Sequence, residues 1–288
     1  MGEGSNFPLP TSHFLLPPKT MIDTGKQNIL GVQVNIIDYA AAVARIITAA
    51  QTRAPLSVSA LAVHGVMTGV LDNVHRYRLN HLDLVCPDGQ PVRWALNLLH
   101  GAKLGDRVYG PNLTLYVCEQ AAQLDIPLYL YGSRLEVLTA FGKNLGDRFP
   151  GLKIAGMQPS RFRQTSLEEQ QEIVAEIKAS GAGITLVGLG CPRQEVWIYE
   201  YRDLLSMPLL AVGAAFDFHA GLLPQAPPQL QAIGMEWFFR FLQEPKRLWQ
   251  RYLILNPHYV ALFLLQFLKL HRFDPATAIP PTESMRYG

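Results

Sequence analysis

The stretch Gly183–Trp197, GITLVGLGCPRQEVW, decides how the rest of the chain is read. Ile184–Val187 is a short apolar run that stops at two glycines, Gly188 and Gly190, and Pro192 then opens a mixed polar and apolar pattern. A run bounded in this way reads as a strand buried on both faces of a parallel sheet. Pro192 suits the first turn of a helix, where its missing N–H costs nothing. The turn between them points free backbone N–H groups and the positive end of a helix at whatever lies above the strand, which favours an anion such as a phosphate. Gln194 and Glu195, in the first turn, face the same cleft on this reading. An ordinary strand-to-helix turn has the same local pattern, so the flanking sequence has to decide.

Outward from this motif, strand and helix patterns alternate. Towards the N-terminus, strands are expected over Ile29–Ile37, Leu56–Val63, Asp83–Cys86, Pro127–Tyr131 and Leu152–Gly156, and Leu209–Gly213 follows the motif. Helices are expected over Tyr39–Thr52, Gly65–Tyr77, Pro91–Leu99, Asn112–Leu124, Leu135–Phe149 and Ser166–Ser180, with Asp38 and Ser166 as caps. The alternation predicts an α/β fold, a largely parallel sheet with helices on both faces. Ligands in such sheets bind beyond the carboxyl ends of the strands. That rule gathers Ser59, Asp88, Gly188–Gln194 and Ala214–Asp217 at one edge. The domains expected are a flexible arm over 1–27, the α/β domain over 28–223, a C-terminal helical appendage over 224–272 and a flexible tail over 273–288.

The 288 residues carry a formal net charge of +2, which gives no sign of a nucleic-acid partner. Cys86, Cys118 and Cys191 form no C-x-x-C, so neither a zinc site nor a disulfide framework is indicated, and a reduced, cytoplasmic setting is expected. The first residues lack the pattern of a signal peptide. The histidines show no H-x-x-x-H spacing and there is no D-x-D, so no divalent metal is expected. Gly188-Leu189-Gly190 is followed by Arg193 where a dinucleotide fingerprint has its third glycine. No P-loop and no G-x-S-x-G elbow occurs.

Asp88, in Pro87-Asp88-Gly89 after a buried strand, could take a proton from an incoming hydroxyl if burial lifts its pKa; it could equally close an Asx turn. Asp217, between Phe216 and Phe218, has the same two readings. Arg107, in GDRVYGPN, could bind a diphosphate or lie on the surface in water. His64 and His219 read as structural histidines. Met235–Arg272 differs in character: Trp237, Phe238, Phe239, Trp249 and Tyr252 are interleaved with Arg240, Lys246, Arg247, Arg251, Lys269 and Arg272, set against Glu244. A basic aromatic amphipathic segment reads as an element for a membrane surface, and its apolar run is too short to span a bilayer.

The pieces LDLVCPDGQPVRWA, GDRVYGPNLT, IPLYLYGS, ITLVGLGCPRQEVWI, AVGAAFDFHAG and MEWFFRFLQEPKRLWQRYL together resemble the WecG/TagA/CpsF family of bacterial glycosyltransferases. They fall in the family's order over roughly residues 29–255, with VGLGCPRQE and EWFFRFLQEPKRLW the most specific. The resemblance implies an α/β fold with Rossmann-like features, a UDP-activated hexose or N-acetylhexosamine donor such as N-acetylmannosamine, and a saccharide acceptor carried on a polyprenyl diphosphate. It also implies inversion at the sugar carbon with no cofactor and no metal, at the cytoplasmic face of the membrane, in cell-surface polysaccharide synthesis. Asp88 matches the family's proposed base, Arg107 its R-V-x-G arginine and Gln194 its P-[KR]-Q-E glutamine. Arg240, Arg247 and Arg251 match the basic segment proposed to close over the site. Substrate contacts are further expected from Ser59, Gly188, Gly190 and Asp217. Many members read T-x-N where this chain has Ser59-Ala60-Leu61, a difference that bears on the sugar or the acceptor rather than on the reaction type. A homo-oligomer is left open. The alternatives are a nucleotide-dependent α/β enzyme of another reaction class and an inactive membrane-bound scaffold.

Overall fold

The computed structural model describes residues 21–288. A hairpin of β1 (Asp23–Ile29) and β2 (Val32–Ile37) comes first, followed by α1 (Tyr39–Gln51), β3 (Leu56–Leu61), α2 (Val63–Leu71), α3 (Asn73–Asn80), β4 (Leu84–Pro87), α4 (Gln90–His100) and α5 (Gly110–Gln123). Then come β5 (Leu128–Gly132), α6 (Leu135–Arg148), β6 (Ile154–Gln158), α7 (Leu167–Ala179), β7 (Ile184–Gly188), α8 (Arg193–Tyr201), β8 (Pro208–Ala211) and α9 (Ala215–His219). Strands β3–β8 form one parallel sheet in the order β4-β3-β8-β7-β5-β6. The expected α/β architecture is the observed one.

The core lies in two layers, one against each face of the sheet. One layer joins α1, α5, α6 and α9 around Phe141 and Phe216, and the other joins the hairpin, α2, α4 and α8 around Met67 and Trp197. Neighbouring strands β3 and β8 therefore lead into helices on opposite faces, α2 and α9. That divergence opens the crevice in which α/β sheets bind ligands.

Several boundaries differ from the expectation. The pattern over Ile29–Ile37 is broken at Leu30 and Gly31, both with positive φ, into a two-residue hairpin turn. This hairpin stands apart from the main sheet, and Asn35 Oδ1 accepts the Val85 N–H of β4 at 2.8 Å. Strand β1 starts inside the stretch expected to be the arm, and residues 1–20 of that arm lie outside the described residues. The helix expected over Gly65–Tyr77 is two helices, because Asp72 caps α3 by accepting the N–H groups of Val74 and His75. Pro192 sits at the N-cap of α8 rather than within its first turn, and the Cys191–Pro192 peptide is cis. Asp38 and Ser166 cap α1 and α7 as expected, Ser166 in a full capping box with Glu169.

The C-terminal region comprises α10 (Pro228–Ala232), α11 (Glu236–Gln243), α12 (Pro245–Trp249), a π-helical turn (Gln250–Leu255) and α13 (Asn256–Phe267). It is docked on the α/β body: Leu248, Tyr252 and Tyr259 are buried, and Gln266 Oε1 accepts the Leu30 N–H at 2.9 Å. The tail expected to be flexible instead runs back along the surface. Ile279 N–H bonds Asn73 O at 3.1 Å, Arg286 Nε bonds Gln170 at 3.1 Å, and Ser160 Oγ bonds Gly288 O at 2.7 Å. Among the described residues no helix is long and apolar enough to cross a membrane.

Candidate active site

The carboxyl ends of β3, β4 and β8 converge at Gly110, the first residue of α5. A Cβ there would lie 3.2 Å from Ala60 Cβ and 3.6 Å from both Asp88 Oδ2 and Val212 O. Asp88, one residue past β4, is half-buried, and its own N–H is bonded to Leu61 O at 3.1 Å. Its carboxyl lies at the positive end of α5, where the Gly110 N–H stabilises the charged form. Burial outweighs that help and that of Arg107, and raises the pKa from 3.8 to about 7. The Asx-turn alternative is not the observed geometry, since no bond from the Asp88 side chain to its own turn is formed.

Arg107, which by its sequence could equally lie on the surface, is 7% exposed. Its Nη2 donates to Glu236 Oε2 at 2.5 Å, and its Cζ lies 4.2 Å from the centroid of the Tyr109 ring. The Tyr109 hydroxyl donates to Glu236 Oε1 at 2.7 Å, and Tyr39 Oη accepts the Tyr109 N–H at 2.8 Å. Burial alone would lower the Arg107 guanidinium, but the Asp88 and Glu236 carboxylates reverse that and leave it above its ordinary value. Arg240, on α11, stacks over Phe218 at 5.3 Å and also favours the charged form of Asp88. Asp88, Arg107 and Arg240 are thus brought together.

The polar groups under the opening motif form a second cluster. Gln194 is 5% exposed and Glu195 1%, so neither projects freely into the cleft as the sequence pattern suggested. Gln194 Nε2 donates to Glu195 Oε1 at 2.9 Å, and Ser59 Oγ donates to the same oxygen at 3.2 Å. Ser59 is fully enclosed, so its hydroxyl meets Glu195 rather than the open cleft. Gln194 Oε1 is buried with no partner among the described residues, and it would be 2.9 Å from a Cβ at Gly213. Gly213 has φ +47, so both its backbone and its lack of a side chain admit Gln194.

The two glycines of the motif have different roles. A Cβ at Gly188 would fall 2.7 Å from Phe216 Cγ, so Gly188 serves packing beneath the cleft. Gly190, at φ +77 with open space around its Cα, is exposed. Asp217, half-buried on α9, is raised by burial, with Arg247 the largest opposing influence. Arg247 itself is exposed and pairs with Glu244. Arg251 is half-buried and lies towards Cys191 and His64, and burial lowers its guanidinium. Burial likewise lowers His64 to about 4 and His219 to about 4, and His219 Nε2 lies 2.9 Å from Pro111 O.

The sequence patterns pointed past Glu236 and Tyr109. Glu236 begins EWFFR, and the charge balance of its segment had set only Glu244 against the basic residues; with both acids counted, the segment's excess falls to +4. An acid at the head of a basic aromatic stretch was the available signal.

A model of the "Glycosyl transferase WecG/TagA/CpsF family" matches residues 27–273. The chain belongs to this family. It is a glycosyltransferase, as the motif resemblance implied. One relative, from Bacillus spizizenii, is named N-acetylglucosaminyldiphosphoundecaprenol N-acetyl-beta-D-mannosaminyltransferase. It is 30% identical over 187 residues, which is 65% of this chain and 70% of the relative.

Proposed function

We propose that this glycosyltransferase moves an N-acetylmannosamine-like hexose from UDP to a saccharide carried on a polyprenyl diphosphate, with inversion and without a metal. The observation that carries this reading is Asp88, with a pKa of about 7, at the strand edge between the Gly110 N–H and Arg107. A general base works best with a pKa near the operating pH. In the reaction, Asp88 accepts the proton of the acceptor hydroxyl as its oxygen bonds to the anomeric carbon from one face. The bond to UDP breaks on the opposite face, and its electron pair leaves with the diphosphate. Arg107, Arg240 and the N–H groups at Gly190 supply positive charge to that leaving group.

The relative's name supports a lipid-linked N-acetylglucosamine as acceptor and N-acetylmannosamine as the transferred sugar. A site on the membrane surface is supported by the C-terminal region, where Phe238, Leu242, Trp249, Leu253, Val260 and Leu268 are exposed among Lys246, Lys269 and Arg272. The test is a screen of UDP-sugars against a short-chain polyprenyl-diphosphate N-acetylglucosamine, with and without EDTA. Transfer from a UDP-hexosamine that survives EDTA is expected. A strict need for added metal, or binding of nicotinamide nucleotides in place of UDP, would refute this mechanism.

A further inference from the structure

Arg107 and Tyr109 belong to the loop that leads into α5, whereas Glu236 comes from α11 of the C-terminal region, 129 residues beyond Arg107. All three side chains are buried. Both oxygens of Glu236 are used, one by Arg107 and one by the Tyr109 hydroxyl, and the guanidinium is also stacked on the Tyr109 ring. This fixes the position of the guanidinium. Arg107 makes no other side-chain hydrogen bond among the described residues, so the remaining N–H groups of its planar fork are left for a ligand.

We propose that Glu236 is a positioning residue of the transfer site, the carboxylate through which the C-terminal region sets Arg107 and Tyr109 against the Asp88 side of the cleft. Docking of α11 then does more than cover the site. It immobilises the cation that meets the diphosphate, and it places a second carboxylate near the base. The groups that face Asp88 are Arg107, Tyr109 and the Gly110 N–H from the α5 end, Glu236 and Arg240 from α11, Tyr39 from α1 and the buried Cys86 thiol of β4. Burial is the main reason that Asp88 is raised, and Glu236 adds to it while Arg107 and Arg240 oppose it. Removing the charge of Glu236 leaves the two arginines unopposed, so Asp88 must ionise at lower pH.

The role of Arg107 rests on the donor reading above, whereas the effect on Asp88 does not. The first experiment is therefore a carboxyl ¹³C titration of the substrate-free full chain, with Asp88→Asn identifying the signal. Glu236→Gln, nearly equal in shape, is expected to move the Asp88 midpoint down by about one pH unit. Tyr109→Phe, which keeps the charge and removes one hydrogen bond, is expected to leave that midpoint in place. The second experiment is transfer kinetics. Glu236→Gln is expected to raise the donor KM about tenfold and shift the acid limb of kcat/KM with the Asp88 midpoint. Glu236→Asp should restore the acid limb. An unmoved Asp88 midpoint in folded Glu236→Gln would overturn the proposal whatever the donor is. Tighter donor binding in that variant would also overturn it, because Glu236 would then be competing with the diphosphate for Arg107.

Discussion

Replacing Asp88 with asparagine separates two consequences of one buried carboxyl. The first is chemical: asparagine cannot take the acceptor's proton, and loss of a general base costs roughly 10²–10⁴ in turnover. The second concerns stability. A carboxyl that ionises at 3.8 when unfolded and at about 7 when folded is protonated in the native state over that range while the unfolded chain has already ionised. The unfolded state binds fewer protons there, so the stability of the wild type falls as pH rises from about 4 through 7. The displacement corresponds to about 4 kcal/mol as a ceiling, and water at the open side of a half-buried group reduces this to about 1–3 kcal/mol.

An asparagine side chain carries no charge at any of these pH values, so the Asp88→Asn variant escapes that loss. It should be more stable than the wild type at pH 8 by about 1–3 kcal/mol, with the gap closing towards pH 4. Denaturant unfolding at pH 4.5, 6 and 8 measures the gap, and transfer assays across the same range measure the rate. Wild-type kcat/KM should fall about tenfold for each pH unit below 7 as Asp88 becomes protonated, and the variant's residual rate should lack that limb. A stability gap that stays constant from pH 4.5 to 8 would refute the raised pKa. A wild-type transfer rate in the variant would move the base elsewhere, with Asp217 the next candidate.

Gln194→Ala removes the buried amide next to Gly213 and should weaken donor use; an unchanged donor KM and kcat would reduce Gln194 to a helix-start residue. Gly188→Ala drives a methyl into the Phe216 ring and should cost about 1–3 kcal/mol in denaturant unfolding, whereas Gly190→Ala meets no atom and should cost about 1 kcal/mol for its backbone alone. Arg247→Ala, at an exposed position facing Asp217, should reduce transfer to a short water-soluble acceptor if the arginine belongs to the site. Full activity on that acceptor, with loss only of salt-sensitive binding to anionic vesicles, would make it a membrane contact.

The central elements were legible because their signals are local. Ile184–Val187 is apolar but for Thr185 and stops at Gly188, and the same kind of run marks β5 and β8, so the parallel sheet could be placed from the sequence. Asp38 and Ser166 announce their helices within three residues. The misplacements have physical reasons as well. The β1–β2 turn uses Leu30 at φ 54 before Gly31, and leucine gives no turn signal, so the apolar alternation ran on unbroken through it. Asp72 looked like one polar residue inside a helix, although its carboxylate starts a new one. Glu195 and Ser59 were assigned to the cleft by strand and helix position alone, which does not reveal that their side chains turn inward to each other.

The C-terminal region shows where local signals fail. Its proline-rich entry and basic aromatic sequence described a detachable element with a loose tail, because the contacts that fix it are all long-range. Gln266 reaches Leu30, Ile279 reaches Asn73, Arg286 reaches Gln170 and Glu236 reaches Arg107, and none of these pairs leaves a mark on either partner's neighbours in sequence. Removing the region would therefore strip a buried arginine of its carboxylate and uncover the apolar surface of α2 and α4 on which Tyr259 packs, so a truncated chain could lose activity through instability alone. Point substitutions at Glu236, Arg240 and Arg247 keep that packing in place. They ask the sharper question of whether the region contributes charge to the reaction or only carries the enzyme to the proposed lipid-linked acceptor.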